Sequence, residues 1–248
     1  MHASLKMMSH RPWALPNGPW VMAQDWHDLL FAHWAVPVEA MRGLVPRELE
    51  LDCFAGQCWI GVVPFRMAGV RLRGTPAVPG LSAFPELNVR TYVTLGGKPG
   101  VWFFSLDAAN RIAVAIARAW FHLPYFRARM SLEPHGREIG YFSRRTDGRG
   151  VGERFEACYA GEGERFHAQR GTLEYFLAER YCLYAQRGDG AMLRGEIHHA
   201  PWELQRARTQ ISINTMTDSL RVSLAGEPLL HFSKLQEVIV WQPQEVRQ

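Results

Sequence analysis

The chain is short of lysine, which bears on the partners it can have. Only three of its 28 basic residues are lysine, Lys6, Lys98 and Lys234, and the others are arginine. Nucleic-acid-binding proteins usually cluster their basic residues and interleave them with aromatic ones. Here the arginines are spread along the chain, with Asp and Glu between them. Planar salt bridges are therefore the simpler interpretation of the many arginines. Nucleic-acid binding is less favoured than either small-molecule function considered below.

Cysteine pairs of the metal-binding kind are also lacking. Cys53, Cys58, Cys158 and Cys182 form no C-x-x-C pair, and the spacing of the first two is not repeated. This pattern argues against a zinc ribbon. The first residues contain no continuous apolar stretch of the kind found in secretory signals. We therefore expect reduced, mostly buried thiols in a cytoplasmic protein with neither a cofactor nor a metal.

No apolar run is long enough for a membrane span. The most apolar run, residues 112–121, is interrupted by Arg118 and has half of the roughly 20 residues that a bilayer requires. The G-x-S-x-G elbow, the glycine-rich phosphate loop and the dinucleotide fingerprint are missing as well. Adjacent His198 and His199 point to opposite faces of a strand, so they are a poor pair of metal ligands. One of them, His199, is expected to line a pocket together with Trp202.

The chain has the composition of a globular protein and a pattern of short strands. Apolar residues make up 47% of its 248 residues and charged residues 21%, which is typical of a folded core. Nine to twelve short alternating segments, with two or three helices, predict an α+β fold that is mostly β, a barrel or a sandwich. We expect a loose N-terminal arm over residues 1–19 and a single domain over residues 20–248. Residues 71–83, rich in Gly and Pro, predict a surface loop over a cavity mouth or edge.

Two helices follow from capping residues and composition. Asp107 is the expected N-cap of a helix that runs to Phe121. That helix is apolar on nearly every face, which predicts that it is buried. Thr172 is the expected N-cap of a second, shorter helix over residues 173–180.

The most informative segment is the strand predicted over residues 87–95 with the two residues before it. Alternate residues of a strand share a face, and one face here carries Glu86, Asn88, Arg90 and Tyr92. A solvated strand face and a polar pocket lining both fit this alternation. Directional groups of this kind, flanked by apolar sequence, favour the pocket.

The next strand and the helix after it add further candidates. Ser105 and Asp107 lie on the antiparallel partner strand, and Asp107 could pair with Arg90 or Arg118 as well as cap the helix. An arginine in a nearly apolar helix needs an anion or several acceptors. Arg118 therefore either binds a ligand carboxylate or forms a buried salt bridge, for instance to Glu174 or Glu179.

Several strings of the sequence resemble the YqjF-like family of uncharacterised proteins. These strings are residues 84–93, 99–108, 123–126, 171–174, 176–181 and 198–202, and the resemblance extends from about Trp26 to Trp241. That family is similar in fold to acetoacetate decarboxylase, which implies a curved β barrel or cone around a buried small-molecule cavity.

The resemblance breaks at the catalytic lysine. In the decarboxylases a lysine that follows a proline forms a Schiff base, and a second lysine lowers its pKa. Here the corresponding residues are Leu123-Pro124-Tyr125-Phe126, without a lysine. Glu86 matches one decarboxylase carboxylate, whereas nothing acidic stands near Val63-Pro64, where a second would fall. The family likeness thus implies a cavity without imine chemistry.

Two functions remain open for such a cavity. In the first, an enzyme acts on a small carbonyl or carboxylate compound, with Glu86 as general acid or base. Arg90 or Arg118 would hold the anion, and Tyr92 or Tyr125 would be the phenolic donor. In the second, the same cavity binds a small ligand without chemistry. Either form is compatible with a homo-oligomer. The ligand-binding residues expected in both are Asn88, Tyr92, Ser105, Asp107, Arg118, His199 and Trp202.

Overall fold

The computed structural model describes residues 2–150 and 152–246, and β-strands dominate it. The elements are β1 (Met22–Val36), α1 (Val38–Arg42), β2 (Glu50–Leu51), β3 (Cys58–Leu72), β4 (Phe84–Leu95), β5 (Lys98–Ala108), α2 (Arg111–Phe121), β6 (Tyr125–His135), β7 (Glu138–Arg145), β8 (Arg154–Phe166), α3 (Leu173–Ala178), β9 (Cys182–Gln186), β10 (Met192–His199), β11 (Leu204–Asn214), β12 (Leu229–Val240) and β13 (Gln244–Glu245). Short 3-10 helices cover Ala3–Lys6 and Asp218–Leu220. The expectation of a mostly-β fold with short helices is confirmed.

In the described residues the strands form one sheet whose order returns to its start. The order β5-β6-β7-β8-β11-β12-β1-β3-β4 closes because β4 also pairs with β5. A second path, β5-β9-β10-β12, spans the resulting ring. Two enclosures therefore share β1, β3, β4, β5 and β12. The pairings of β5 with β6 and with β9 are parallel, and α2 makes the crossover that a parallel β5–β6 connection requires.

Strand β4 is a wall between the two enclosures, so both of its faces are buried. Leu87 and Val89 pack into a core with Tyr141 and Phe155. On the opposite face Glu86, Asn88, Arg90 and Tyr92 are between 0% and 8% exposed. The polar face that the alternation indicated is therefore an interior face and not a solvated one.

Helix α2 differs from its prediction at its start and in its burial. Strand β5 continues through Asp107 to Ala108, and Asn110 is the N-cap, accepting hydrogen bonds from the backbone N–H groups of Ile112 (2.9 Å) and Ala113 (3.1 Å). The prediction of Asp107 as cap was wrong, because sheet pairing holds that residue in extended conformation. Ile112 is also half exposed, so the helix is not buried on every side. The Thr172 cap of α3 is confirmed, since its hydroxyl accepts from the Tyr175 N–H.

The N-terminal segment is packed, where a loose arm was expected. The Arg11 side chain is buried, and its guanidinium pairs with the Glu196 carboxylate of β10. The Trp13 indole donates to the same carboxylate at 2.7 Å. The imidazole of His198 lies 2.9 Å from the Ser4 carbonyl oxygen. A buried ion pair and a hydrogen bond to the same carboxylate therefore hold the N-terminal segment against β10. Composition alone did not predict this packing.

A buried ion cluster accounts for Asp107. The Arg145 guanidinium donates to the Asp107 carboxylate at 2.7 Å and lies 2.8 Å from Glu153, and all three side chains are at most 2% exposed. Asp107 therefore pairs with neither Arg90 nor Arg118. The two carboxylates share one cation, so the cluster depends on that arginine.

All four cysteines are free, and Cys58 and Cys182 are buried. Across residues 2–150 and 152–246, no helix has the length and apolar character of a membrane span.

We expect Arg145→Met to lower the free energy of unfolding by about 3–5 kcal/mol, because two carboxylates would stay buried without their cation. Urea denaturation followed by fluorescence measures the change. Arg165→Met is the control, since the Arg165–Glu203 pair is exposed and such pairs contribute little. Equal midpoints for the two variants would show that the cluster contributes no more than a surface pair.

Candidate functional site

A cavity of about 710 Å³ lies inside the ring made by β1, β3, β4, β5, β9, β10 and β12. This volume falls within the range of sites for drug-sized ligands. Its wall is mostly apolar, with Val63 and Phe65 from β3, Phe103 and Leu106 from β5, and Leu183 from β9. A few polar side chains stand out on that wall, and they are the residues that could orient a ligand.

The register of β3 and β4 orders the cavity from its mouth inward. Phe84 lies opposite Met67, Glu86 opposite Phe65, and Asn88 opposite Val63. Alternate residues of a strand are separated by roughly 6.6 Å, so the line from Phe84 to Arg90 is roughly 20 Å long. The mouth lies between the loop of residues 73–83 and α2, because both contribute exposed residues to the cavity lining. The loop predicted over residues 71–83 begins later, since β3 extends to Leu72. The polar groups of β4 thus stand at increasing depth behind the mouth.

Glu86 is a buried carboxyl in this wall. The Tyr125 hydroxyl donates to its Oε2 at 2.9 Å, and Tyr125 is placed there by the pairing of β6 with β5. Burial raises the pKa of Glu86 to about 8, although the Tyr125 hydrogen bond lowers it and nearby Asp107 raises it further. The side chain is therefore mostly protonated at neutral pH and can donate a proton or a hydrogen bond.

Arg90 is a buried cation without a carboxylate. Its Nη2 donates to the Leu177 carbonyl oxygen at 3.2 Å, and the guanidinium lies 5.2 Å from the centre of the Phe31 ring and 5.6 Å from that of Tyr92. Among the described residues no carboxylate lies within 4.0 Å of it. Burying a charge of this kind costs free energy unless an anion pairs with it.

Three buried polar atoms of cavity-lining residues have no hydrogen-bond partner in the described residues. They are Asn88 Oδ1, Arg90 Nε and Trp202 Nε1. His199 also lines the cavity, and burial lowers the pKa of its imidazole. Buried polar groups are normally satisfied. The residues that carry these atoms line the cavity, but the three atoms themselves are covered by neighbouring protein atoms.

The structure brings six of the predicted site residues to the cavity: Glu86, Asn88, Arg90, Tyr125, His199 and Trp202. Tyr92 lies behind the wall, where its hydroxyl donates to the Leu177 carbonyl oxygen at 2.8 Å and contacts His33 at 2.6 Å. The ligand-binding and catalytic roles of these residues stay predictions.

Three predicted residues lie elsewhere. The register of β5 against β4 shifts between Ser105 and Phe103, so Phe103 and Leu106 face the cavity while Ser105 and Asp107 do not. Arg118 pairs with Asp147, not with Glu174 or Glu179.

Arg118 also donates through Nε to the Tyr125 carbonyl oxygen at 2.7 Å. Its charge is therefore satisfied outside the cavity, and of the two candidate arginines only Arg90 faces it. A residue missed by the sequence is Arg180, which lines the cavity and pairs with Asp52 at 2.5 Å. Nothing local in the sequence signals that pair, since the two residues lie far apart along the chain.

The lysines are placed away from the cavity. Lys98 pairs with Glu196 at 3.1 Å, and Lys234 pairs with Asp28. Lys6 lies in the first 3-10 helix. None of the three lines the cavity. The structure also holds Val63 in the wall, without a second carboxylate beside Glu86 at that position.

A family of uncharacterized conserved proteins, DUF2071, matches residues 23–237 of the chain. The chain belongs to this family. The chain is also 48% identical over 229 residues to the uncharacterized protein YqjF of Bacillus subtilis, and the match covers 92% of this chain and 93% of that protein. The expected YqjF-like membership is confirmed.

Solved structures extend the likeness to a fold. Acetoacetate decarboxylase from Legionella pneumophila superposes with a TM-score of 0.63 at 12% identity, covering 95% of this chain and 91% of that one. An acetoacetate decarboxylase-like enzyme from Sphingomonas wittichii gives 0.66 at 13% identity, covering 96% and 98%. The enduracididine biosynthesis enzyme MppR complexed with pyruvate gives 0.64 at 11% identity, covering 99% and 97%. At such identities the likeness shows the fold alone, and the expected decarboxylase-like fold is confirmed for this DUF2071 member.

The raised pKa of Glu86 predicts a pH-dependent stability. The folded carboxyl has a pKa of about 8 against an ordinary value of 4.5, so it stabilises the fold at low pH and this stabilisation is lost as the pH rises through that interval. Glu86→Gln does not titrate. We expect its stability relative to wild type to improve by about 2–4 kcal/mol between pH 5 and pH 9.

Urea denaturation at pH 5, 7 and 9 measures this difference. Glu203→Gln, at an exposed carboxylate, controls for the loss of one acidic group. A Glu86→Gln difference that stays constant with pH would show that the buried carboxyl ionises as it does in water.

Proposed function

We propose that this chain binds a small organic anion through Arg90 in its apolar cavity. The observation that carries the proposal is the buried guanidinium of Arg90, which lines the cavity and meets no carboxylate of the described residues. A ligand carboxylate would supply the missing charge, and arginine presents its N–H groups in a fork that matches a carboxylate.

Two further features support an anion with an apolar body. Arg90 stands in a wall that is mostly apolar, with Phe103 and Leu106 of β5 among its residues. An apolar surrounding of this kind strengthens a charge-assisted hydrogen bond. Among proteins of this fold, MppR has been solved with pyruvate, itself a carboxylate. The fold is therefore compatible with a small anion held inside it.

Acid–base catalysis is a second candidate function, and Glu86 favours it. A carboxyl with a pKa of about 8 exists in both protonation states near neutral pH, which suits a general acid or base. Tyr125 is its one side-chain hydrogen-bond partner among the described residues, which leaves an oxygen for a ligand carbonyl or an acidic C–H. Because no lysine lines the cavity, this chemistry proceeds without an imine and is not that of acetoacetate decarboxylase.

Binding of carboxylates should depend on Arg90. We expect the wild-type protein to bind apolar carboxylates such as hexanoate, decanoate and 4-phenylbutyrate. Arg90→Met should lower the affinity for them about 10- to 100-fold, the range expected for the loss of hydrogen bonds to a charged group. Isothermal titration calorimetry measures the affinities, with decanol as the uncharged ligand.

Arg118→Met is the matched control, since Arg118 is satisfied outside the cavity. If both variants lost the same affinity for carboxylates, or if the wild type bound none, Arg90 would not be the anion-binding residue.

Catalysis would appear as proton exchange at carbon. We expect the protein to accelerate hydrogen–deuterium exchange next to the ketone of oxodecanoic acids in D₂O, with a rate that rises as the pH passes about 8, because only ionised Glu86 accepts the proton. NMR follows the exchange. Glu86→Gln should lower the exchange rate about 100-fold or more and leave the affinity for the oxodecanoic acid unchanged. Equal rates in the variant and the wild type would leave a binding protein without this chemistry.

A further inference from the structure

Exposed hydrophobic side chains are concentrated at the cavity mouth. In the described part of the chain eight large hydrophobic residues are exposed, and five of these line the cavity. Those five are Leu72, Val78, Leu81, Ile112 and Ile116. Single exposed hydrophobic residues are ordinary on protein surfaces, whereas a group of them at one opening marks a place where something apolar binds. We call these five residues the rim.

The apolar surface continues from the rim into the cavity. Behind the rim stand Val70, Met67, Phe84, Ala113, Ala117 and Trp120, and deeper still come Phe65 and Leu106. The charged guanidinium of Arg90 lies at the inner end of the same β4 face. The path from Phe84 to Arg90 is roughly 20 Å long by the rise of a strand. The cavity is thus a long apolar space with a cationic group far from its opening.

The mouth is a built opening and not a gap between unrelated elements. The Asn110 side chain caps α2 through its Oδ1 and donates through its Nδ2 to the Leu81 carbonyl oxygen at 2.9 Å. Within the loop, the Ser82 hydroxyl accepts from the Val78 N–H at 2.7 Å. One asparagine therefore joins the two sides of the rim, so that the loop and the helix present their apolar residues together.

We infer that the ligand is an elongated amphiphile, whose anionic end meets Arg90 and whose slim apolar chain runs along the cavity until its far end lies among the rim residues. This inference rests on the proposed function, since it uses the same anion site. A compound the size of pyruvate would leave most of the 710 Å³ unfilled. An aliphatic chain would occupy the length of the cavity and would cover the rim residues that are otherwise exposed to water.

A series of straight-chain carboxylates from butanoate to hexadecanoate tests the inference. We expect the affinity of the wild type to rise about fourfold per added methylene, until the chain reaches the rim. Titration calorimetry below the critical micelle concentrations measures the affinities. Quenching of the tryptophans that line the cavity, Trp26, Trp120 and Trp202, gives a second readout.

Variants of the rim separate the chain path from the anion site. The double variant Ile112→Ser, Ile116→Ser should weaken the longest chains about tenfold and leave butanoate and hexanoate unchanged. Leu235→Ser is the matched control, because Leu235 is exposed to a similar degree but does not line the cavity. Both isoleucines lie on the exposed side of α2, so the fold should tolerate the change, and thermal unfolding checks this.

The outcomes distinguish the two levels of the proposal. Short carboxylates that bind through Arg90, with an affinity that does not grow with chain length, would overturn the amphiphile and keep the anion site. Length-dependent binding that the rim variant does not alter would likewise overturn the path through the mouth. If carboxylates of every length fail to bind, or bind equally well to Arg90→Met, the proposed function itself fails.

Discussion

The pairing of β4 with β5 is the contact on which both the enclosure and the site depend. It closes the order of strands into a ring and turns β4 into a wall with two buried faces. One face can be satisfied by packing, as Leu87 and Val89 are. The other face carries ionisable groups that have lost most of their water, so its chemistry follows from burial. Without the closure these groups would be ordinary surface residues.

Burial acts differently on the two ionisable residues of that face. Glu86 responds by keeping its proton, because the neutral form of a carboxyl costs little to bury. Arg90 differs in kind, since it carries a cationic guanidinium on the same face. Its neighbours in the described part of the chain supply a carbonyl oxygen and two aromatic rings, but no counter-charge. The cavity therefore combines a neutral proton donor with an uncompensated cation, in an apolar surrounding that strengthens both.

The polar face of β4 and the cap of α3 could be predicted because they depend on neighbours two or three residues away. Alternation along a strand placed Glu86, Asn88 and Arg90 together. The predictions for Ser105, Asp107 and Arg118, which depended on distant residues, were wrong. A register shift in β5 took Ser105 and Asp107 off the cavity face, and Arg118 found Asp147, 29 residues away. A bulge and a long-range ion pair leave no periodic trace in sequence.

The sequence by itself determined the family, the mostly-β composition and the set of polar groups available to a pocket. It also determined that no lysine stands at the position where an imine would form. Only the tertiary structure decided which arginine faces the cavity, that the N-terminal segment is packed against β10, and that scattered hydrophobic residues meet at one mouth. The physical reason is that periodicity reports on a residue's own strand or helix, whereas burial and charge balance are set by whatever other segments close over it.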